Sequence, residues 1–353
     1  MRQLSLQVLA CSALVSAAVA QTYHISPVQS ATTEGSSNNI FPWASGARRY
    51  QQIHSDMPTT PMRIVSIGFR HNATTSASTG TRTIDMEMSM GRGVSYDQAR
   101  LTFDANYVGA SKMTVIARKT INMMGGATVS PGPCPFDPNL DVKLDAPYLH
   151  LPTDSLLWDV TIYSNTVSGT FQAMDADASS VTSVTSTTFG TGCTATGRTS
   201  AMSLALAGAD NGGVVGLLFT VANAPSTAPV IMIIGTTQID VPIPGLCSNL
   251  YTDLLLLIPF GASSATGALA EALVAPNPGA GSLSAQALSI DVGQTGLPFV
   301  VSNRRTATIP AANTTKVLKV TRLTNTDGNS AATKATLFTT SSIGYGLPTR
   351  FTY

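Results

Sequence analysis

The residues of this 353-residue sequence that could serve as a general base, or ligate a metal through nitrogen, are its four histidines, His24, His54, His71 and His150. No metal-ligand spacing joins them. His54 ends the run Arg49-Tyr50-Gln51-Gln52-Ile53 and could enter a polar pocket, although a surface or hydrogen-bonded structural histidine is the plainer reading. His150 stands between Leu149 and Leu151 and reads as a strand residue. Glycoside hydrolysis needs two carboxyl groups facing across a cleft, and Asp85 and Glu87 share one face of a strand. They alternate with apolar residues, so they read first as the solvated side of that strand. Serine and threonine are abundant, yet no Gly-x-Ser-x-Gly elbow occurs. Gly91-Arg92-Gly93 and Gly190-Thr191-Gly192 lack the rest of a phosphate-binding fingerprint and read as turns.

Calcium asks only for oxygen ligands. Asp137, Asn139 and Asp141 have alternate spacing and form the candidate metal site. Asp175 with Asp177, and Asn325, Asp327 and Asn329, repeat that spacing, but no stretch completes an EF-hand loop, and turn chemistry explains Asp and Asn at such places equally well. For carbohydrate binding the candidates are Trp43 and Tyr50, with Phe41, in a segment broken by Pro and Gly. Their rival assignment is core packing, because tryptophan is highly buried on average. Trp158 lies on an alternating strand and is assigned to the core. Asn72-Ala73-Thr74 and Asn313-Thr314-Thr315 match the glycosylation sequon by pattern alone.

These residues must be positioned by strands. Ile84, Met86, Met88 and Met90 alternate with Asp85, Glu87 and Ser89, a period of two that buries one sheet face. Similar alternation occupies Met62 to Phe69, Met113 to Ala117 and Leu156 to Ile162, separated by turn residues. No long amphipathic helix is legible before Thr187. Residues 173 to 188 are rich in hydroxyls and poor in bulky apolar groups, which suits a connector or an edge segment. A second series of short strands follows, Met202 to Leu206 through Pro298 to Val301. Within it Val230 to Ile234 and Leu254 to Ile258 are continuous apolar runs, suited to strands covered on both faces. Lys316 to Leu323, the turn around Asn325 to Asn329, and Lys334 to Thr340 read as a terminal hairpin.

Charged residues are only 11% of the chain, and Lys+Arg 20 against Asp+Glu 19 gives a net charge of +1. No basic footprint for nucleic acid or an anionic membrane surface is present. Met1-Arg2, the apolar Leu4 to Ala17 and Ala18-Val19-Ala20 have the form of a secretion leader cleaved before Gln21. Cys11 in Val8-Leu9-Ala10-Cys11 only faintly resembles a lipid-attachment box, since the apolar run continues past it. Apolar runs beyond residue 20 are too short to span a bilayer as a helix. The remaining cysteines, Cys134, Cys193 and Cys247, are odd in number. In an oxidising compartment two pair, and the residue contexts favour Cys193 with Cys247; Cys134, between Pro133 and Pro135, reads as a buried or free thiol rather than a nucleophile.

Gly190-Thr-Gly-Cys-Thr-Ala-Thr-Gly197, Ala228-Pro-Val-Ile-Met-Ile-Ile-Gly235, Pro244-Gly-Leu-Cys247, Pro276-Asn-Pro278, Leu283-Ser-Ala-Gln286 and Ser302-Asn303 together resemble a C-terminal module of secreted planctomycete-type bacterial proteins of uncharacterised function. The N-terminal half is similar to its usual partner domain through Phe41-Pro-Trp43, Arg49-Tyr-Gln-Gln-Ile53, Ile67-Gly-Phe-Arg70, Phe136-Asp137 and Leu156-Leu-Trp-Asp159. The tail after Ala311 departs from that pattern. The resemblance implies a secreted two-domain β protein with a Cys193 to Cys247 bridge, and carries over no catalytic residue. The resulting expectation is an all-β chain of two jelly-roll-like β-sandwich domains in tandem, with a leader at 1–20, domains at 21–168 and 190–353, and a connector at 169–189. The expected role is a noncatalytic structural or adhesive protein of the cell surface or matrix, with an extracellular polysaccharide or surface protein as partner. The rival is a carbohydrate-active enzyme or its binding subunit.

Overall fold

The computed structural model describes residues 22–73, 81–124, 133, 135–167, 173–336 and 342–353. The expected leader, Cys11 and Cys134 lie outside the described residues. The protein is all-β, and helical structure among the described residues is confined to short 3-10 turns. The first strands are β1 Tyr23–Ser26, β2 Ser37–Asn39, β3 Arg48–His54, β4 Met62–Gly68, β5 Thr81–Gly93, β6 Met113–Met124, β7 Asp141–His150, β8 Ser155–Val167 and β9 Met174–Ala178. There follow β10 Val181–Phe189, β11 Ser203–Asn211, β12 Val214–Ala222, β13 Pro229–Gly235, β14 Gln238–Val241, β15 Leu250–Thr252, β16 Leu256–Ala262, β17 Leu269–Pro276, β18 Gly281–Ile290 and β19 Phe299–Ile309. The last are β20 Val320–Thr324, β21 Tyr345–Gly346 and β22 Thr349–Thr352.

The first unit is a sandwich. Its five-stranded sheet has the order β20-β3-β8-β5-β6 and its four-stranded sheet β1-β22-β4-β7. Tyr50, Met86, Met88 and Trp158 from the first share one core with Met62, Ile64, Ile67, Tyr148 and Phe351 from the second. Along β5 the expected alternation holds, with Ile84, Met86, Met88 and Met90 all buried. A three-stranded sheet, β2-β9-β21, adds Met174, Ala176 and Tyr345 to the same core.

The second unit is built on an eight-stranded antiparallel sheet, β16-β13-β18-β19-β10-β11-β12-β17, with the two-stranded sheet β14-β15 as its other element. Its two halves supply one core, in which Leu204, Leu206, Phe219 and Val221 meet Met232, Ile234, Ala285, Ala287 and Val300. The sheet is therefore folded over on itself, as strands with one apolar face require. A seam joins the units, where Val214, Leu218, Ala272 and Val274 pack with Ile53, Leu101, Phe103, Leu157 and Leu323.

Three sequence expectations are corrected. Residues 173 to 188 are built mostly into two interior strands, with only Ser179 and Ser180 crossing between the units. β9 lies between β2 and β21, and β10 between β19 and β11. The polar residues of β9 tolerate burial because distant partners meet them. Asp175 is held by Arg70 and by the Gly35 N–H at 3.1 Å, and Asp177 by Ser30, Ser36 and Lys316. The tail forms no hairpin of its own along Lys316 to Leu323. β20 pairs with β3, β21 with β9, and β22 inserts between β1 and β4, so the chain after Ile309 returns to the first unit. Part of the expected second arm falls outside the described residues. The chain crosses between units at two neighbouring points, where Ser180 N–H donates to the Lys316 carbonyl at 3.0 Å and Leu318 N–H to Ser179 Oγ at 2.9 Å. The third correction concerns Leu254 to Ile258 and is taken up below.

Candidate functional site

Trp43 and Tyr50 are fully buried, so neither offers a platform to a sugar. Trp43 packs on Phe69 with ring centroids 5.3 Å apart, and Tyr50 stacks on Trp158 at 5.2 Å. Trp43 enters the first core from the turn-rich segment that also packs Phe41 and Ala44 against it, and Tyr50 enters it from the interior of β3. The proposed calcium ligands are likewise used within the protein. Asp137 caps the short turn Pro138–Leu140 by accepting from the Asn139 N–H at 2.8 Å, while Asp141 accepts from Ser66 Oγ at 3.2 Å and faces Arg350 at 3.6 Å. Asn325, Asp327 and Asn329 bond one another in a turn. No group of three metal-ligating side chains occurs among the described residues. Asp85 lies on the solvated face of β5, where Arg118 holds its carboxyl below the usual carboxylate range.

Cys193 and Cys247 form the expected disulfide, with Cα atoms 5.6 Å apart. Gly192 is required beside it, because a Cβ there would lie 2.0 Å from the Met202 carbonyl oxygen. No helix among the described residues is long and apolar enough to cross a membrane.

The polar groups with acid-base potential are drawn into buried chains. Ser26 donates its hydroxyl to Asp56, and its oxygen lies 2.6 Å from His54 Nδ1. On the far side of the ring, Nε2 is 3.0 Å from the Trp158 indole nitrogen and 3.0 Å from Gln52 Nε2. Trp158 can only donate. The Gln52 Oε1 already accepts from the Tyr50 hydroxyl at 2.7 Å and the Leu347 N–H at 2.9 Å, so its nitrogen also donates. His54 is therefore the neutral Nδ1–H tautomer, giving its proton to Ser26 and accepting two at Nε2. Burial, reinforced by His24, lowers its pKa to about 3. A ring of that basicity, beside a fully buried serine whose proton is committed to Asp56, orders a core and does not activate a nucleophile. A second network lies near the seam: the Arg49 guanidinium grips Asp159 at 2.6 Å and Asp104 at 2.6 Å, and Gln51 Nε2 donates to Asp159 at 3.2 Å.

A cavity of about 530 Å³ opens at the seam beside Leu101, Leu218, Ser263, Leu269 and Lys334. Its cation is tied to Glu271, and its walls bring no acid and base together.

The surface feature that sequence reasoning missed is the third correction. Leu254, Leu255, Leu256 and Leu257 are 62%, 68%, 52% and 57% exposed. The run was expected to be covered on both faces, yet β16 is the end strand of the eight-stranded sheet, paired with β13 on one side and with no described strand on the other. From Leu254 through Ala270 the sequence has no charged side chain. Edge strands are normally guarded by charge, proline or a cover; here Pro259 is the single guard of that kind within the strand. The opposite end strand, β17, is covered, since Ala272 and Val274 pack in the seam against Val94 and Tyr96. The signal that could have found this edge was the lack of charge within the leucine run and after it, from Leu254 through Ala270.

No family model matches the chain, and no curated protein matches it. Among solved structures, the D431N mutant VP2 protein of infectious bursal disease virus, in derived T=1 particles, aligns with 94% of this chain and 75% of its own at 11% identity. The TM-score of 0.13 is too low to carry an argument.

Proposed function

We propose that this chain is a noncatalytic structural or adhesive protein of the cell surface or extracellular matrix, and that it makes contact through the uncharged leucine edge of β16. The observation that carries the reading is the contrast between the two kinds of side chain. Those able to do chemistry are committed inside the protein, as with Ser26, His54, Asp159 and Asp175. Large apolar ones, Leu254 to Leu257, stand exposed in a row that leads into an edge strand. Exposed apolar patches and open strand edges are the usual means of binding another polypeptide. A secretion leader and an internal disulfide support an extracellular setting. With Trp43 and Tyr50 in the core, protein is favoured over carbohydrate as the partner.

The occupant that the charges favour is a second copy. Antiparallel pairing of two β16 strands about a two-fold axis near Ile258 sets Asp253 of one copy against Ser263 of the other, so no like charges meet. With β17 packed at the seam, the eight-stranded sheet offers one open edge among the described residues, which suits a closed dimer through β16. Sedimentation of residues 21–353 tests this. A dimer converted to monomer by Leu255→Lys with Leu257→Lys is the expected result. A wild-type monomer at high protein concentration, or a dimer indifferent to both lysines, overturns the assignment of this edge. Release of reducing sugar from any polysaccharide by the purified protein overturns the noncatalytic reading itself.

A further inference from the structure

The second unit carries a hairpin arm folded back over its own sheet. β14 and β15 follow β13 and precede β16, yet they pair with each other and share no ladder with the eight-stranded sheet. The chain turns into the arm where Asp253 Oδ1 accepts from the Thr236 and Thr237 N–H groups at 2.9 and 2.8 Å. Near the tip, the exposed Cys247 is bonded to the buried Cys193. The Leu297 N–H donates to the Gly245 carbonyl at 2.7 Å and the Ser248 hydroxyl to the Thr191 carbonyl at 2.7 Å, so the tip is tied down beside the bridge.

Beneath β15 lie Phe189, Gln286 and Arg304, set side by side on one face because Arg304 pairs with Phe189 of β10 and with Gln286 of β18. Gln286 meets the main chain of the arm in both senses: its Oε1 accepts from the Tyr251 N–H at 2.9 Å, and its Nε2 donates to the Asn249 carbonyl at 3.1 Å. Arg304 donates to the Tyr251 carbonyl at 3.3 Å and to Gln238 Oε1 at 2.7 Å. The Tyr251 ring stands edge-on to Phe189 with centroids 5.5 Å apart. Gly190 leaves room for that ring, since a Cβ there would lie 2.4 Å from it. Alternate residues of an extended segment are thus held through their main chain, and the side chain selected is aromatic, the manner in which a groove reads a peptide. The arm does not exhaust this floor. Arg304 is 4% exposed, meets no carboxylate among the described residues, and has a buried Nε without an acceptor.

We propose that Phe189, Gln286 and Arg304 form a binding groove for an extended polypeptide segment bearing an aromatic side chain, that the arm fills this groove in cis, and that reduction of the Cys193–Cys247 bridge by a dithiol opens it. The arm itself shows which chemistry the floor accepts. One thiolate of the dithiol attacks the exposed Cys247 sulfur, and Cys193 leaves as a thiolate and takes up a proton. The second thiol then displaces Cys247, so the bridge is reduced to two thiols and the dithiol is oxidised to its disulfide. With the tip untied, the arm is held by the side-chain contacts of its floor and by the short β14–β15 ladder, and an outside segment competes with it for the same groups. This groove lies apart from the β16 edge and does not depend on self-association there.

The probe is a fluorescent peptide Ser-Asn-Leu-Tyr-Thr-Asp, the sequence of residues 248–253. It is titrated to millimolar concentration, because the tethered arm competes at about that effective concentration. The protein is residues 21–353 with Cys134→Ser, used oxidised, reduced with dithiothreitol, and as Cys247→Ser, which is open without reductant. Binding at least tenfold tighter to both opened forms than to the oxidised protein is the expected result. Loss of the tyrosine from the peptide should weaken it by about tenfold, the worth of the ring contact, and Arg304→Gln in the Cys247→Ser protein by a similar factor. Amide hydrogen exchange of the same samples should show protection lost in Gln238–Val241 and Leu250–Thr252 while β11 and β12 keep theirs. Equal binding with the bridge open and closed, no binding to either opened form, indifference to the tyrosine or to Arg304, or loss of protection that spreads through β11 and β12 would each overturn the proposal.

Discussion

Replacing Cys247 by Ser isolates the contribution of the disulfide. Cys247 is exposed, so the substitution leaves no cavity, while Cys193 stays in place through its own backbone bonds, its N–H to the Val301 carbonyl at 2.8 Å and its carbonyl to the Met202 N–H at 2.7 Å. The bridge spans 54 residues. Removing a loop of that size from the constraints on the unfolded chain lowers stability by about 4 kcal/mol in the chain-entropy account. With a urea dependence of about 2–3 kcal/mol per molar, the midpoint should fall by about 1.5 M. The assay can also tell the two units apart. Both tryptophans, Trp43 and Trp158, lie in the first unit, whereas the bridge lies in the second. Far-UV circular dichroism follows both units, and tryptophan fluorescence follows the first. If the seam around Phe103 and Val214 couples them, the two signals move together; if it does not, only the dichroism midpoint shifts. A midpoint within about 0.3 M of the parent by dichroism, judged against the range of ordinary surface substitutions, would refute the reasoning.

Other substitutions separate burial from function. Asp175→Ala should destabilise by about 3 kcal/mol, because it leaves the Arg70 guanidinium buried without its carboxylate, and a thermal melt reads this directly. Trp43→Ala should cost about 3–5 kcal/mol through lost packing, measured by urea titration, with no change in any interaction of the folded protein. Leu255→Lys with Leu257→Lys should move stability by no more than about 0.5 kcal/mol per site while abolishing self-association, a pairing of results that a core role for these leucines would reverse. Thiol titration of unfolded, unreduced residues 21–353 should find one free group, and three would exclude the bridge.

What the sequence disclosed depended on how local the cause was. The alternation of Ile84 to Met90 is set by neighbours two residues apart, and it correctly gave a strand with one buried face. Leu254 to Ile258 is as apolar as Val230 to Ile234, but the first belongs to an end strand and the second lies between two strands. Composition does not encode which strands come to lie alongside. Burial of Asp175 and Asp177 was hidden for the same reason, since Arg70 and Lys316 stand far away in sequence. His54 was read as a surface or hydrogen-bonded structural residue, and it is the second, buried between Ser26, Trp158 and Gln52, partners that come from three separate stretches of sequence. The cysteine pair was legible from residue context among the three cysteines beyond the expected leader.

The two crossings between units, tied together at Ser179–Ser180 and Lys316–Leu318, make the second unit a cassette. Strands β10 to β19 leave and re-enter the first sandwich at almost one spot, so that sandwich closes its own hydrogen bonds whatever is carried between them. Exchange of the 181–309 body for a different one, or for a short glycine turn, therefore asks that the seam residues Ile53, Leu101 and Phe103, buried in the intact protein, be given a polar face. A fold wired this way can vary what it presents without renegotiating how it stands.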